Sequence, residues 1–234
     1  MPNKEKIHSL FNGISSNYDK LNHILSLDID KIWRKRAVRR IADKKEATDI
    51  LDIACGTGDF SIAIAKKMPQ GSHVTGLDLS EGMLAVMKEK VERLGLSDKI
   101  SMMQGDCENL PFADNSFDRV SVAFGVRNFE NREKGLTEML RVLRPSGRLV
   151  ILELSLPSNR IARSLFNLYF LHILPLIGGK VSGDKTAYSY LPASVLQFPK
   201  KKEFKTIMSN CGYANISHKA FTLGICRMYI GEKA

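Results

Sequence analysis

The chain has 234 residues, 44% of them hydrophobic and 26% charged, which allows one large domain with a substantial core. Its formal net charge of +10 points to an anionic partner: nucleic acid, an anionic membrane surface or an acidic ligand. No run of eighteen apolar residues and no apolar N-terminal segment occurs, so neither a bilayer span nor a secretion signal is predicted. The basic excess is dispersed, with clusters at 31–40 and 200–205 that suit either solvated helix faces or a membrane surface. The cysteines (55, 107, 211 and 226) have neither C-x-x-C nor metal-ligand spacing, which fits free thiols in a reducing cytoplasm and predicts no metal centre.

Residues 1–45 carry apolar residues at three- and four-residue spacing and read as an N-terminal helical segment. From residue 48 short β-rich runs alternate with amphipathic helical runs. "TDILDIA" precedes "FSIAIAKKM", "HVTGLDL" precedes "EGMLAVMKEKVERLG", and "KISMMQGD" precedes a short connection. "FDRVSVAF" precedes "REKGLTEMLRVLR", and "GRLVILELS" follows. This alternation predicts right-handed βαβ units in an open, doubly wound, mostly parallel α/β sheet. Beyond residue 155 comes an apolar, aromatic stretch broken by Pro175 and a glycine pair, then a polar stretch at 182–199. A helix at 201–213 and two strand-like runs, "NISHKAFT" and "ICRMYIGEK", suggest a hairpin at the sheet edge. One domain is expected, with an N-terminal helical lid at 1–45, a ligand-binding core at 46–155 and a substrate cover at 156–234 that combines a C-terminal helical insertion with closing strands.

Ligands of open α/β sheets bind outside the carboxyl ends of the strands, where strand order reverses. The loop after the first strand, "LDIACGTGDF", therefore narrows the ligand. It lacks the third glycine of a dinucleotide fingerprint, with Ser61 in that place, and has no Lys-Ser/Thr for phosphates. Gly56, Thr57 and Gly58 instead stand between two acids, Asp52 and Asp59. Acids beside the ligand argue against polyphosphate and for a cation. S-adenosyl-L-methionine carries an ammonium and a sulfonium. Asp52 can meet the ammonium directly or through water, and the glycines allow close backbone approach. Asp78 ends the second strand and can accept from both ribose hydroxyls. Asp106 ends the third and can accept from the adenine amino group, with the backbone N–H of Cys107 reaching a ring nitrogen. Each acid alone also reads as a turn former or helix cap. Three at successive strand ends favour the nucleoside.

These residues resemble class I S-adenosylmethionine-dependent methyltransferases, with their Rossmann-like seven-stranded sheet. More narrowly, the chain is similar to the demethylmenaquinone methyltransferases and ubiquinone C-methyltransferases, over about residues 7–233. The stretches that carry the likeness include "FNGISSNYDKLNHILS", "QGDCENLPFADNSFD", "AFGVRNFENREKGLTEMLRVLRPSGRLVILELS" and "LPLIGGKVSGDKTAYSYLPASV". The chain departs from the family's usual residues at Ala123 (Ser), Ser189 (Arg), Ala193 (Glu) and Cys226 (His), mainly in the expected substrate cover.

The resemblance implies C-methylation of a reduced demethylmenaquinone, with a ubiquinone-pathway or dual substrate as the alternative. A nucleic-acid methyltransferase is disfavoured, since no NPPY-like motif follows the fourth strand. A quinone ring is a poor nucleophile, so the quinol, preferably its phenolate, should react. A phenol with a pKa of ~10 needs roughly 4 kcal/mol to ionise at pH 7. Arg127 can stabilise the anion or orient a water, and Asn128 can hold the other ring oxygen. The competing reading pairs Arg127 with an acid such as Glu153. Tyr18, Asp19 and Asn22 could close over the site, or Tyr18 could simply pack in the core. His23 and His172 are candidate proton acceptors that equally suit structural roles. The apolar stretch 161–177 fits a polyprenyl tail, a core helix or a homodimer interface, and membrane contact is expected to be peripheral.

Overall fold

The computed structural model describes residues 3–169 and 185–234. The N-terminal segment forms α1 (Lys4–Ile14), a 3-10 turn, α2 (Tyr18–Ser26) and α3 (Ile29–Ile41). The core follows as β1 (Asp49–Ile53), α4 (Asp59–Ala65), β2 (His73–Asp78), α5 (Glu81–Arg93), β3 (Ile100–Gln104), β4 (Phe117–Ala123), α6 (Arg132–Val142) and β5 (Leu143–Leu154). Then come α7 (Arg160–Leu168), α8 (Lys185–Gln197), α9 (Lys201–Asn210), β6 (Ala214–Phe221) and β7 (Cys226–Glu232).

The seven strands lie in the order β3-β2-β1-β4-β5-β7-β6. β1 to β5 run parallel, and β7 pairs antiparallel with both β5 and β6. The expected terminal hairpin is therefore present, with β7 inserted next to β5 and β6 left on the edge. Strand order reverses between β1 and β4, so the loops after these strands face one crevice.

Alternation along the strands explains the two layers of helices. In β1, Ile50 joins a cluster with Trp33, Ile41, Phe60 and Met87, whereas Leu51 and Ile53 join one with Leu136, Met139 and Phe204. In β5, Val150 and Leu152 face the first cluster and Leu149 and Ile151 the second. A strand buried on both faces needs this continuous apolar run.

Local chemistry sets the helix starts. Ser80 caps α5 by accepting from the Met83 N–H at 3.1 Å, and Asn131 caps α6 by accepting from Lys134 at 2.9 Å. Glu81 opens α5, and Lys90 and Arg93 close it, matching the helix dipole. The stretch at 182–199, polar in the sequence, contains α8, with Pro192 inside it, in the region where a C-terminal helical insertion is expected. Burial overrides the proline: Val195 and Phe198 are buried, and Val195 packs with Phe166 of α7. His172, and the part of the 161–177 stretch beyond residue 169, lie outside the described residues.

Candidate functional site

The glycine loop between β1 and α4 carries the geometry its sequence predicts. Gly58 has φ +83, and a Cβ there would stand 2.5 Å from Cγ of Met87, so only glycine fits. Gly56 has φ +56, and a Cβ there would meet nothing within 4 Å; its backbone borders open space. That space is a cleft open to solvent. Gly56, Asp78, Leu79, Gly105, Asp106, Cys107 and Asn128 line it.

Asp78 sits at the centre of the crevice. Its Oδ2 accepts from the Gly56 N–H at 2.8 Å and its Oδ1 from the Ser80 N–H at 2.9 Å. Each oxygen keeps a further lone-pair direction for a ribose hydroxyl. Burial raises its pKa despite these hydrogen bonds.

Asp106 and Cys107 line the same cleft, but Asp106 is already engaged. Lys4 of α1 pairs with it at 2.7 Å and with Glu108 at 3.0 Å. The acid expected to meet an adenine amino group thus also anchors α1. Burial pushes the Cys107 thiol well up, so it stays neutral.

Asp52 lies deeper than its sequence reading suggests. Ser61 Oγ donates to it at 2.5 Å and Ser121 Oγ at 2.7 Å, both beneath the loop. Burial pushes its pKa up to about 6. It borders a small cavity shared with Tyr18, Arg34, Thr57 and Asp59, which leaves the water-mediated route to an ammonium as the one that fits. Thr57 donates its hydroxyl to Asp19 of α2, binding the loop to the lid.

Arg127 and Glu153 realise the competing reading. The Arg127 side chain is 5% exposed and that of Glu153 is 0% exposed, and they meet at 2.8 Å. Glu153 also accepts from the Arg127 backbone N–H at 3.1 Å. The guanidinium donates further to the Phe124 carbonyl, while its buried Nε has no hydrogen-bond partner. Burial acts to lower the pKa of Arg127, but attraction to Glu153, the hydrogen bond to it and the nearby Tyr18 and Tyr190 together outweigh burial and keep the guanidinium charged. Asn128 accepts from the Tyr190 hydroxyl at 2.8 Å.

A second cavity adjoins the cleft. Trp33, Phe124, Leu154, Leu191 and Ile225 make it apolar, and Tyr18, Asn22, Asp30, Arg34 and Arg127 add polar groups. Tyr18 lines the cleft, the small cavity and this apolar pocket alike. Burial raises its pKa, so its hydroxyl stays protonated at neutral pH. His23 is not free to act as a base: it meets Asp30 at 3.2 Å and Asp59 at 3.3 Å. His23, Asp28 and Asp30 bring ligand atoms within 4.8 Å, but Lys31 and Arg34 already pair with these acids.

Several site residues were silent in the sequence. Asn12 of α1 accepts from Ser80 Oγ and from the Gly82 N–H at 3.1 Å, and His8 meets Glu81 at 2.6 Å. Lys90 joins Asp19 and Asp59. For Asn12 and His8 the only signal was polar residues spaced along the amphipathic N-terminal helices, and Lys90 was one of several charges on α5. Tyr190 was hidden in the polar stretch at 182–199.

The family model of the ubiE/COQ5 methyltransferases matches residues 1–233. The chain is 44% identical over 229 residues to a ubiquinone/menaquinone biosynthesis C-methyltransferase of Geobacter sulfurreducens, covering 98% of this chain and 89% of that protein. It is 43% identical to a demethylmenaquinone methyltransferase of Bacteroides fragilis, covering 98% and 93%. Solved structures with the same fold include the [4+2]-cyclase SpnF, with a TM-score of 0.73 at 14% identity, covering 99% of this chain and 97% of that one. A SAM-dependent methyltransferase of Aquifex aeolicus scores 0.61 at 18% identity, covering 86% and 89%. Matched over almost its whole length by both model and relatives, the chain belongs to the ubiE/COQ5 methyltransferase family.

Proposed function

We propose that the protein is an S-adenosyl-L-methionine-dependent methyltransferase that places a methyl group on a ring carbon of a reduced demethylmenaquinone. The carrying observation is Tyr18, shared between the cleft that holds Asp78 and the apolar pocket that holds Arg127. Two ligands seated in these cavities meet at its side chain.

S-adenosylmethionine supplies, when bound, a methyl group on a positively charged sulfur. Asp78 would hold its ribose, Gly56 and Gly58 its backbone-facing side, and Asp106 with Cys107 its base. Asp52 and Thr57 support the loop from below. The chain's own contribution is alignment, which in favourable intramolecular cases is worth about 7–11 kcal/mol.

The apolar pocket accepts the quinol ring among Trp33, Phe124 and Leu154. Arg127 lines it and has a donor to spare, so it can hold a ring oxygen whose negative charge grows. Glu153 partly cancels its field, so Arg127 orients more than it charges the pocket. Tyr18, protonated, donates rather than accepts. Asn128, fixed by Tyr190, lines the cleft and not the apolar pocket, so it can hold a water at the junction but is not placed among the groups around the ring.

The relatives' names cover both menaquinone and ubiquinone pathways, so a dual substrate is the second reading. Quinone profiling of cells that have lost this chain separates the two. Accumulated demethylmenaquinone supports the proposal, an accumulated ubiquinone precursor alone shifts it to the other pathway, and an unchanged profile refutes both.

A further inference from the structure

The outer side of α3 carries Lys31, Ile32, Lys35, Arg36, Arg39 and Arg40, all exposed, while Trp33, Ala37, Val38 and Ile41 are buried. This is a cationic face with one apolar residue among the charges. At the start of α3, Leu27 is 75% exposed; beyond β6, Leu223 is 76% exposed. Both hold left-handed backbone conformations, with φ +51 and +56. Leucine is disfavoured there on steric grounds, and Asn or Gly would fit better. Two large apolar side chains thus stand in water at positions that the backbone would give to another residue.

The segments that carry the two leucines meet at the same pocket: Ser26 and Trp33, near Leu27 in the chain, and Ile225, near Leu223, all line it. Trp33 Nε1 donates to Thr222 Oγ1 at 2.9 Å, and Arg36 stacks over Phe221 at 5.5 Å. These contacts bring the Leu27 and Leu223 segments together beside the pocket. A groove next to α3, lined by Lys31, Lys35, Arg39 and Lys67, extends the positive surface.

We propose that this face docks on an anionic lipid bilayer, Leu27 and Leu223 entering the headgroup boundary while the cations of α3 meet the lipid charges. An apolar tip within a basic helical face is the chemistry of interfacial binding. Nucleic acid would use the cations but leave the leucines without a role. The inference rests on the reading of the apolar pocket as the site of a lipid-tailed substrate, which such docking would bring to the pocket from the membrane.

Sedimentation of the full-length protein with phosphatidylglycerol/phosphatidylcholine vesicles tests the idea, with neutral phosphatidylcholine vesicles as the control. Binding to the anionic vesicles alone, weakened by salt, is expected. Leu27→Asn with Leu223→Asn should reduce the bound fraction at least about fivefold while leaving thermal stability equal or higher. Lys35→Gln with Arg39→Gln should weaken binding and its salt dependence together. Equal binding by the leucine variant, equal binding to neutral vesicles, or tighter binding to duplex DNA than to vesicles overturns the docking face. Turnover of a tail-less, water-soluble quinol should survive in all these variants. Absence of that turnover in the unmodified protein counts against the proposed function and not against the docking.

Discussion

At the residue scale, Arg127 shows how a catalytic assignment and a structural one can share a side chain. Removing it strands the buried Glu153 charge, which costs about 3–5 kcal/mol, so Arg127→Ala reports mostly on stability. Arg127→Lys keeps a cation beside Glu153 but loses the planar fork. It is expected to lose less than half the stability lost by Arg127→Ala, to bind S-adenosylmethionine normally, and to turn over far more slowly. Denaturant melts beside single-turnover rates decide it; a wild-type rate in the lysine variant confines Arg127 to the ion pair. Asp52 offers a pH test. Its folded value near 6 exceeds the model-peptide value of 3.8, so between them the native state binds more protons than the unfolded chain. Its contribution to stability therefore falls as pH rises through that window. Asp52→Asn should flatten the stability–pH curve there, and equal slopes would contradict a buried titration at this residue. The strand-end acids were legible because their positions follow from strand periodicity alone. The Lys4–Asp106 pair spans 102 residues of chain, and no local pattern fixes such a partner; Glu153, 26 residues from Arg127, was legible only as the competing reading.

At the element scale, the α/β alternation and the glycine loop were readable because burial on both sheet faces forces them. The bounds of α8 were not readable: Val195 packs inward and Phe198 is buried just beyond the helix end, while Pro192 argues against a helix locally. The helices α1 and α2, the first part of the lid expected at 1–45, are polar enough to need partners, and they find them on the core through Lys4, His8, Asn12 and Asp19. Lys4, Ile7, Phe11 and Tyr18 form one wall of the cleft and Asp78 and Asp106 another. A ligand between them ties lid to core. Saturating S-adenosylmethionine is expected to slow amide hydrogen exchange across residues 4–18 as well as in the glycine loop. Protection confined to the loop would show that the lid does not close on the ligand.

At the scale of the whole molecule, no helix among the described residues is long and apolar enough to cross a membrane. The sheet presents two cavities side by side at its switch point, and Tyr18 stands where they meet. The central claim is that this junction transfers a methyl group to the ring carbon of a reduced quinone. Single-turnover reaction of isotopically labelled S-adenosylmethionine with a short-chain demethylmenaquinone, reduced and oxidised in parallel, tests it most directly. Label on a ring carbon of the reduced compound only, with a strongly lowered rate and unchanged cofactor affinity in Tyr18→Phe, is the expected result. Label on oxygen, equal reaction of the oxidised quinone, or no transfer to either would contradict the account.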